Sequence, residues 1–91
     1  MILDEIFEVI LDRKKNPKEN SYVCSLFNKG EDKILEKIGE EATEVILASK
    51  KDKKSEIVHE CADLIFHMLV LLGYKGIELR EVYEELERRR K

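Results

Sequence analysis

Apolar residues recur along this chain at three- and four-residue spacing, and no segment shows the two-residue alternation of a half-exposed strand. Ile2, Leu3, Ile6, Phe7 and Ile10 form the first run, and Pro17 after Asn16 stops it, so the spacing predicts a helix over residues 2–15. From Ser21 to Gly30 the pattern is short and mixed. Ser21 can cap one or two turns there and Gly30 can end them. Residues 31–52 place Ile34, Leu35, Ile38, Ala42, Val45 and Ile46 on one side of a long helix, and Gly39 inside it costs about 1 kcal/mol relative to alanine. After the polar connection Lys50–Lys54, a fourth segment opens at Ser55 and runs to Gly73. Gly73 and Gly76 bracket a turn, and Leu79, Val82, Tyr83 and Leu86 give a last amphipathic helix ending in the basic stretch Arg88–Lys91, which complements a helix C-terminus. The expected fold is all-α, with four main helices in an antiparallel bundle forming a single domain over residues 1–91.

The charge content bounds the partners. With 17 Lys and Arg against 20 Asp and Glu, the net charge of −3 argues against a general nucleic-acid binder. The longest strictly apolar run, Met68–Leu72, is far short of the roughly 20 residues that span a bilayer, and the acidic start does not read as a signal peptide. No membrane partner is expected, and the expected location is the cytoplasm. Cys24 and Cys61 are too far apart for a zinc-type pair and read as reduced structural thiols. A chain of 91 residues leaves much apolar area exposed, so a homodimer or higher homo-oligomer is expected to complete the core.

The informative feature is an acidic stripe. At about 100° per residue, Glu56, Glu60, Asp63, His67 and Tyr74 fall within one band roughly 60° wide on the fourth segment. The rest of that segment is apolar over an arc about twice that of an ordinary amphipathic helix, so it should be almost surrounded by protein. Carboxylates buried there need cations. The preceding helix supplies a matching set in Glu40, Glu41 and Glu44, with Glu41 at the border of the apolar face and Lys33 and Lys37 on the same flank. Taken alone, that flank also fits a ladder of exposed Lys–Glu pairs, each worth a few tenths of a kcal/mol. Antiparallel packing of the two helices would instead bring four carboxylates face to face. An all-carboxylate site suits a hard cation, Mg²⁺ in particular, which retains water and engages phosphates. Such a site fits phosphoanhydride hydrolysis, with Glu40 orienting a water or taking its proton and Lys33, Lys37 and Lys50 holding outer phosphates.

At these residues the sequence resembles the phosphoribosyl-ATP pyrophosphatase family, the histidine-biosynthesis branch of the all-α nucleotide pyrophosphohydrolases that include the MazG-type enzymes. The shared superfamily pattern stands here as Glu40-Glu41-Ala42-Thr43-Glu44 followed by Glu60-Cys61-Ala62-Asp63. The narrower likeness adds Ser21-Tyr22 ahead of Leu26 and Gly30, then Lys33-Ile34, Lys37-Ile38-Gly39, and Leu64 with His67. Val23 stands where the family commonly has threonine. The resemblance implies Mg²⁺ ligation by Glu41, Glu44, Glu60 and Asp63, and cleavage between the α and β phosphates of phosphoribosyl-ATP to phosphoribosyl-AMP and pyrophosphate. It also implies a dimer, with a separate cyclohydrolase performing the next step. Ser21, Tyr22 and His67 are candidate substrate contacts, although a helix cap, a packed ring and a satisfied helix histidine would also account for them.

Three other readings remain open at the level of sequence. A house-cleaning nucleoside triphosphate pyrophosphohydrolase would use the same carboxylates with a different base pocket. A carboxylate-bridged di-iron bundle is suggested by Glu56-Ile57-Val58-His59, although His59 falls off the main stripe. A noncatalytic helical dimerisation module would leave the carboxylates as surface decoration.

Overall fold

The computed structural model describes residues 1–90, so Lys91, the end of the expected basic tail, lies outside the described residues. Five helices occur in the order α1 (Ile2–Lys15), α2 (Tyr22–Lys29), α3 (Glu31–Lys51), α4 (Lys54–Lys75) and α5 (Leu79–Arg89), with no strand among the described residues. The all-α class is borne out. The Ser21 hydroxyl accepts the Cys24 backbone N–H at 3.2 Å and starts α2. Gly30, at φ 94° and ψ −177°, ends α2 and begins α3 in one residue, a conformation open essentially only to glycine. Asp52, left-handed at φ 59°, turns the chain from α3 into α4. The Glu78–Glu81 capping box opens α5.

α3 and α4 form a helical hairpin. α1 packs against α4, and α2 packs against both α1 and α3. The largest fully buried side chains are Ile10, Leu26, Ile34 and Val70, one from each of the first four helices. Leu79 of α5 joins the same core. Val23 is buried there too, so an apolar side chain suits that position. Both cysteines are free thiols. Cys24 accepts the Lys18 N–H and points its own thiol at the Arg13 carbonyl, so it ties the α1–α2 connection together.

Three sequence expectations need correction. Gly73 does not bracket a turn, because α4 continues through it to Lys75 and ends at Gly76, which is left-handed at φ 72°. Gly73 instead permits a close approach of α1, since a Cβ there would stand 3.0 Å from Ile10 Cγ2. The Lys14 ammonium fastens the same place by donating to the Gly73 carbonyl at 2.9 Å. Second, the apolar face of α3 is only partly covered: Leu35 and Ile46 are exposed, and the buried positions are Ile34, Glu41 and Ala48. Third, α4 is not surrounded within one chain, because Val58, Ile65 and Met68 remain exposed. α4 has the length and hydropathy of a bilayer span, but it carries Glu56, Glu60 and Asp63 and packs in the fold against α1 and α3.

Ile34→Ala should lower the unfolding free energy by about 2–5 kcal/mol, since it empties a fully buried site. Urea denaturation checks this. An unchanged midpoint would mean that Ile34 is not part of the cooperative core.

Candidate metal and substrate site

The buried positions of α3 are seven residues apart, Ile34, Glu41 and Ala48, which puts the Glu41 carboxyl where a helix–helix seam ordinarily holds an aliphatic side chain. On α4 the positions Glu56, Glu60, Asp63, His67 and Val70 follow the alternating four- and three-residue steps of the facing seam. Hairpin packing therefore closes one end of the seam with hydrocarbon, Ile34 and Val70, and leaves acids in the middle. A basin of about 660 Å³ opens over those acids, lined by Glu40, Glu41, Thr43 and Glu44 of α3 and by Glu60 and Asp63 of α4. The structure thus brings together all four carboxylates expected to hold a metal, together with the expected catalytic Glu40.

The electrostatics of the basin are unfavourable as the side chains stand. Glu41 is 8% exposed, its Oε1 lies 3.8 Å from the Lys37 ammonium, and its Oε2 has no hydrogen-bond partner. Glu56 Oε2 is also shielded and unpartnered. Burial, then contact with the Glu41 carboxyl, pushes the Glu60 carboxyl above its ordinary range. An orphaned buried carboxylate oxygen beside further carboxylates matches an oxygen-seeking divalent cation, and no soft ligand stands in the set. Glu41, Glu44, Glu60 and Asp63 line the basin with the oxygen donors that such an ion takes.

The expected substrate residues divide. Lys37 reaches Glu40 at 3.4 Å. Burial would lower its ammonium, but Tyr22, Glu40 and Glu41 outweigh this and hold it above the ordinary lysine value. Lys33 donates to Glu36 at 2.6 Å, one turn along α3. Lys50 is exposed and lies six residues beyond Glu44, roughly 9 Å along the helix axis, so the structure does not bring it to the basin. Ser21 has its hydroxyl engaged in the α2 cap. The Tyr22 hydroxyl lies 2.7 Å from His67 Nε2, and His67 is 4% exposed, so the imidazole cannot meet a substrate directly.

His59 is the residue whose place the sequence reading underrated. Its Nε2 stands 3.3 Å from Asp63 Oδ2, and ligand atoms of His59, Glu60 and Asp63 lie within 4.8 Å of one another. The four-residue spacing to Asp63 was the available signal, whereas the helical wheel had set His59 aside. Glu56 is not part of this cluster.

The pH response of the cation-free protein follows from Glu60. A carboxyl raised in the folded state binds its proton more tightly than in the unfolded chain. The resulting stability is complete below the unfolded value and is lost as pH rises through the folded one. Thermal unfolding in chelator should show the melting temperature falling as pH rises from the ordinary glutamate range. Glu60→Gln should flatten that slope and melt no lower than wild type at pH 7. A lower melting temperature for the variant would refute the electrostatic account.

Comparison with known proteins agrees with this geometry. The phosphoribosyl-ATP pyrophosphohydrolase family matches residues 3–90. A phosphoribosyl-ATP pyrophosphatase of Methanocella arvoryzae is 60% identical over 99% of this chain and 97% of its own length. One of Geobacter sulfurreducens is 61% identical over 97% of this chain and 82% of its own length. The histidine biosynthesis bifunctional protein HisIE of Caldanaerobacter subterraneus subsp. tengcongensis is 59% identical, the match covering 99% of this chain and 44% of that protein. With the paired acidic motifs facing one another across the hairpin and near-full-length matches on both sides, the chain belongs to the phosphoribosyl-ATP pyrophosphohydrolase family.

Proposed function

We propose that this chain hydrolyses the α–β phosphoanhydride of phosphoribosyl-ATP, releasing phosphoribosyl-AMP and pyrophosphate in histidine biosynthesis, with Mg²⁺ as cofactor. The observation that carries the metal half of this reading is the buried, unpartnered Glu41 oxygen at the floor of a four-carboxylate basin. The substrate half rests on the names of relatives that match this chain almost end to end.

The side chains divide the work. Glu41, Glu44, Glu60 and Asp63 would hold Mg²⁺, which when bound screens phosphate charge and acidifies a water. Glu40, half exposed on the basin wall, orients the attacking water and accepts its proton. The water oxygen bonds to phosphorus, the bond to the bridging oxygen breaks, and pyrophosphate leaves with that oxygen. Lys37 stands beside Glu40 and Glu41, placed to balance the charge of the phosphate chain. Lys33, two turns before Glu40, reaches the outer phosphates by exchanging its Glu36 partner for them.

The working form in this reading is a cytoplasmic homodimer. An apolar groove of about 340 Å³ runs between α1, α4 and α5, lined by Leu3, Ile65, Met68, Leu72, Val82 and Leu86 among others, with almost no polar surface. Its wall continues into the exposed face of α4, where the wheel required cover and one chain supplies none. A second copy brings the same aliphatic surface and closes it with two-fold symmetry. The product then passes to a cyclohydrolase activity. The bifunctional relatives, less than half of whose length this chain matches, fit that order.

Pyrophosphate release from phosphoribosyl-ATP, beside ATP, dUTP and dCTP, tests the assignment. Turnover of phosphoribosyl-ATP above the other three, abolished by chelator, is the expected result. Preference for a free nucleotide would overturn the substrate. Asp63→Asn should reduce turnover by about 100-fold or more while the fold persists. Light scattering tests the assembly: the wild-type chain should be dimeric and Ile65→Asp monomeric, and a monomeric wild type would refute the groove's assignment.

A further inference from the structure

His59 has no part in the division of work above, yet α4 carries its ring to two of the acids that line the basin. Four-residue spacing sets His59 and Asp63 one turn apart on the same side of the helix, with Glu60 beside them. His59 Nε2 stands 3.3 Å from Asp63 Oδ2, and one donor atom from each of His59, Glu60 and Asp63 lies within 4.8 Å of the other two. Among the described residues they are the one group of three His, Cys, Asp or Glu side chains placed that closely. Such separations are those of a single coordination shell. Donors held about 2.1 Å from one six-coordinate ion stand about 3.0 Å apart when adjacent and about 4.2 Å apart when opposite.

A surface ion pair would account for the His59–Asp63 contact alone, because both side chains are exposed, and a pair of that kind contributes little. A second observation points past the pair to a ligand. The acids that His59 touches open onto the basin whose floor is the buried Glu41 carboxyl, with its Oε2 unpartnered. A cation drawn there and ligated by Glu60 and Asp63 has the His59 nitrogen as its next donor on α4. The chemistry of that donor is selective. Mg²⁺ prefers oxygen and keeps its water, whereas imidazole nitrogen suits the later divalent ions of the first transition row.

We propose that His59 is a nitrogen ligand at the edge of the carboxylate basin, taken up by Co²⁺- and Zn²⁺-class cations and left unused by Mg²⁺, so that this one side chain sets which divalent ion the site prefers. The proposal rests on the metal half of the proposed function and is independent of the substrate. Glu60 and Asp63 serve either class of ion, and His59 distinguishes between them.

Calorimetric titration of the chain with Co²⁺ and with Mg²⁺, in the absence of nucleotide, tests it. His59→Ala places a better helix former at an exposed helical position, and should weaken Co²⁺ binding by about 10-fold or more while changing Mg²⁺ binding less than about 2-fold. Equal loss for both cations, or loss for neither, overturns the proposal. Asp63→Asn, which removes a shared ligand, should weaken both. The chain has two histidines, so nitrogen NMR of ¹⁵N-histidine-labelled protein reads the ligand directly. Zn²⁺ should move a His59 ring nitrogen to the position of a metal-bound imidazole and leave the buried His67 in place. Zn²⁺ binding with the His59 nitrogens unmoved would reduce its contact with Asp63 to a surface pair and refute the assignment. Mg²⁺ binding with His59 silent toward Co²⁺ refutes this proposal and leaves the metal half of the proposed function standing, whereas a wild type that takes up neither cation overturns both. Because no titration needs turnover, a chain that binds Co²⁺ through His59 yet releases no pyrophosphate from phosphoribosyl-ATP supports the proposal and refutes the substrate assignment alone.

Discussion

The Glu41 carboxyl occupies a seam position where helix packing calls for hydrocarbon, and the rest of the site depends on that burial. A carboxylate brought out of water without partners carries a penalty of several kcal/mol, and its neighbours here, Glu60 above all, make the position worse. Lys37 meets one of its oxygens from 3.8 Å and leaves the other orphaned. The remaining charge calls for a cation, and this ties the stability of the fold to the chemistry of the site. The hairpin can tolerate the arrangement because dry packing, Ile34 and Val70, lies along the same seam.

Around that seam the polar groups sort themselves by what each must satisfy. Ser21 accepts the capping N–H of α2, His67 is held between the Asp63 carbonyl and the Tyr22 hydroxyl, and Lys14 donates to the end of α4. Groups engaged this way position other groups. Those left facing the basin, namely Glu40, Glu44 and Asp63, remain available to a ligand. His59 is exposed and reaches Asp63 along the helix surface.

The same accounting bears on the exposed aliphatic residues. Val58, Ile65 and Met68 of α4 stand out of the chain as fully as many charged residues do, although their helix has the apolar content of a core element. Five helices of this length cannot wrap α4 on all sides while keeping the carboxylate face accessible. The uncovered surface is the counterpart of an accessible site in a domain this small.

The sequence by itself determined the all-α class, the helix boundaries to within a residue or two, and the acids that converge. Each of these is written in local spacing: Pro17 and Gly30 punctuate, and the two acidic motifs sit on helices joined by a two-residue turn, which leaves one way to fold them together. The wheel sets Glu41 at the border of the apolar face of α3, but only the tertiary structure decided that it is buried, at 8% exposed, while Glu40 and Glu44 stay exposed. It decided that Gly73 admits α1 where the spacing suggested a turn, since a glycine's missing Cβ shows its use only once Ile10 stands 3.0 Å away. It also decided that His67 holds Tyr22, because that fact depends on a distance between segments, and helical periodicity reports directions around one axis only.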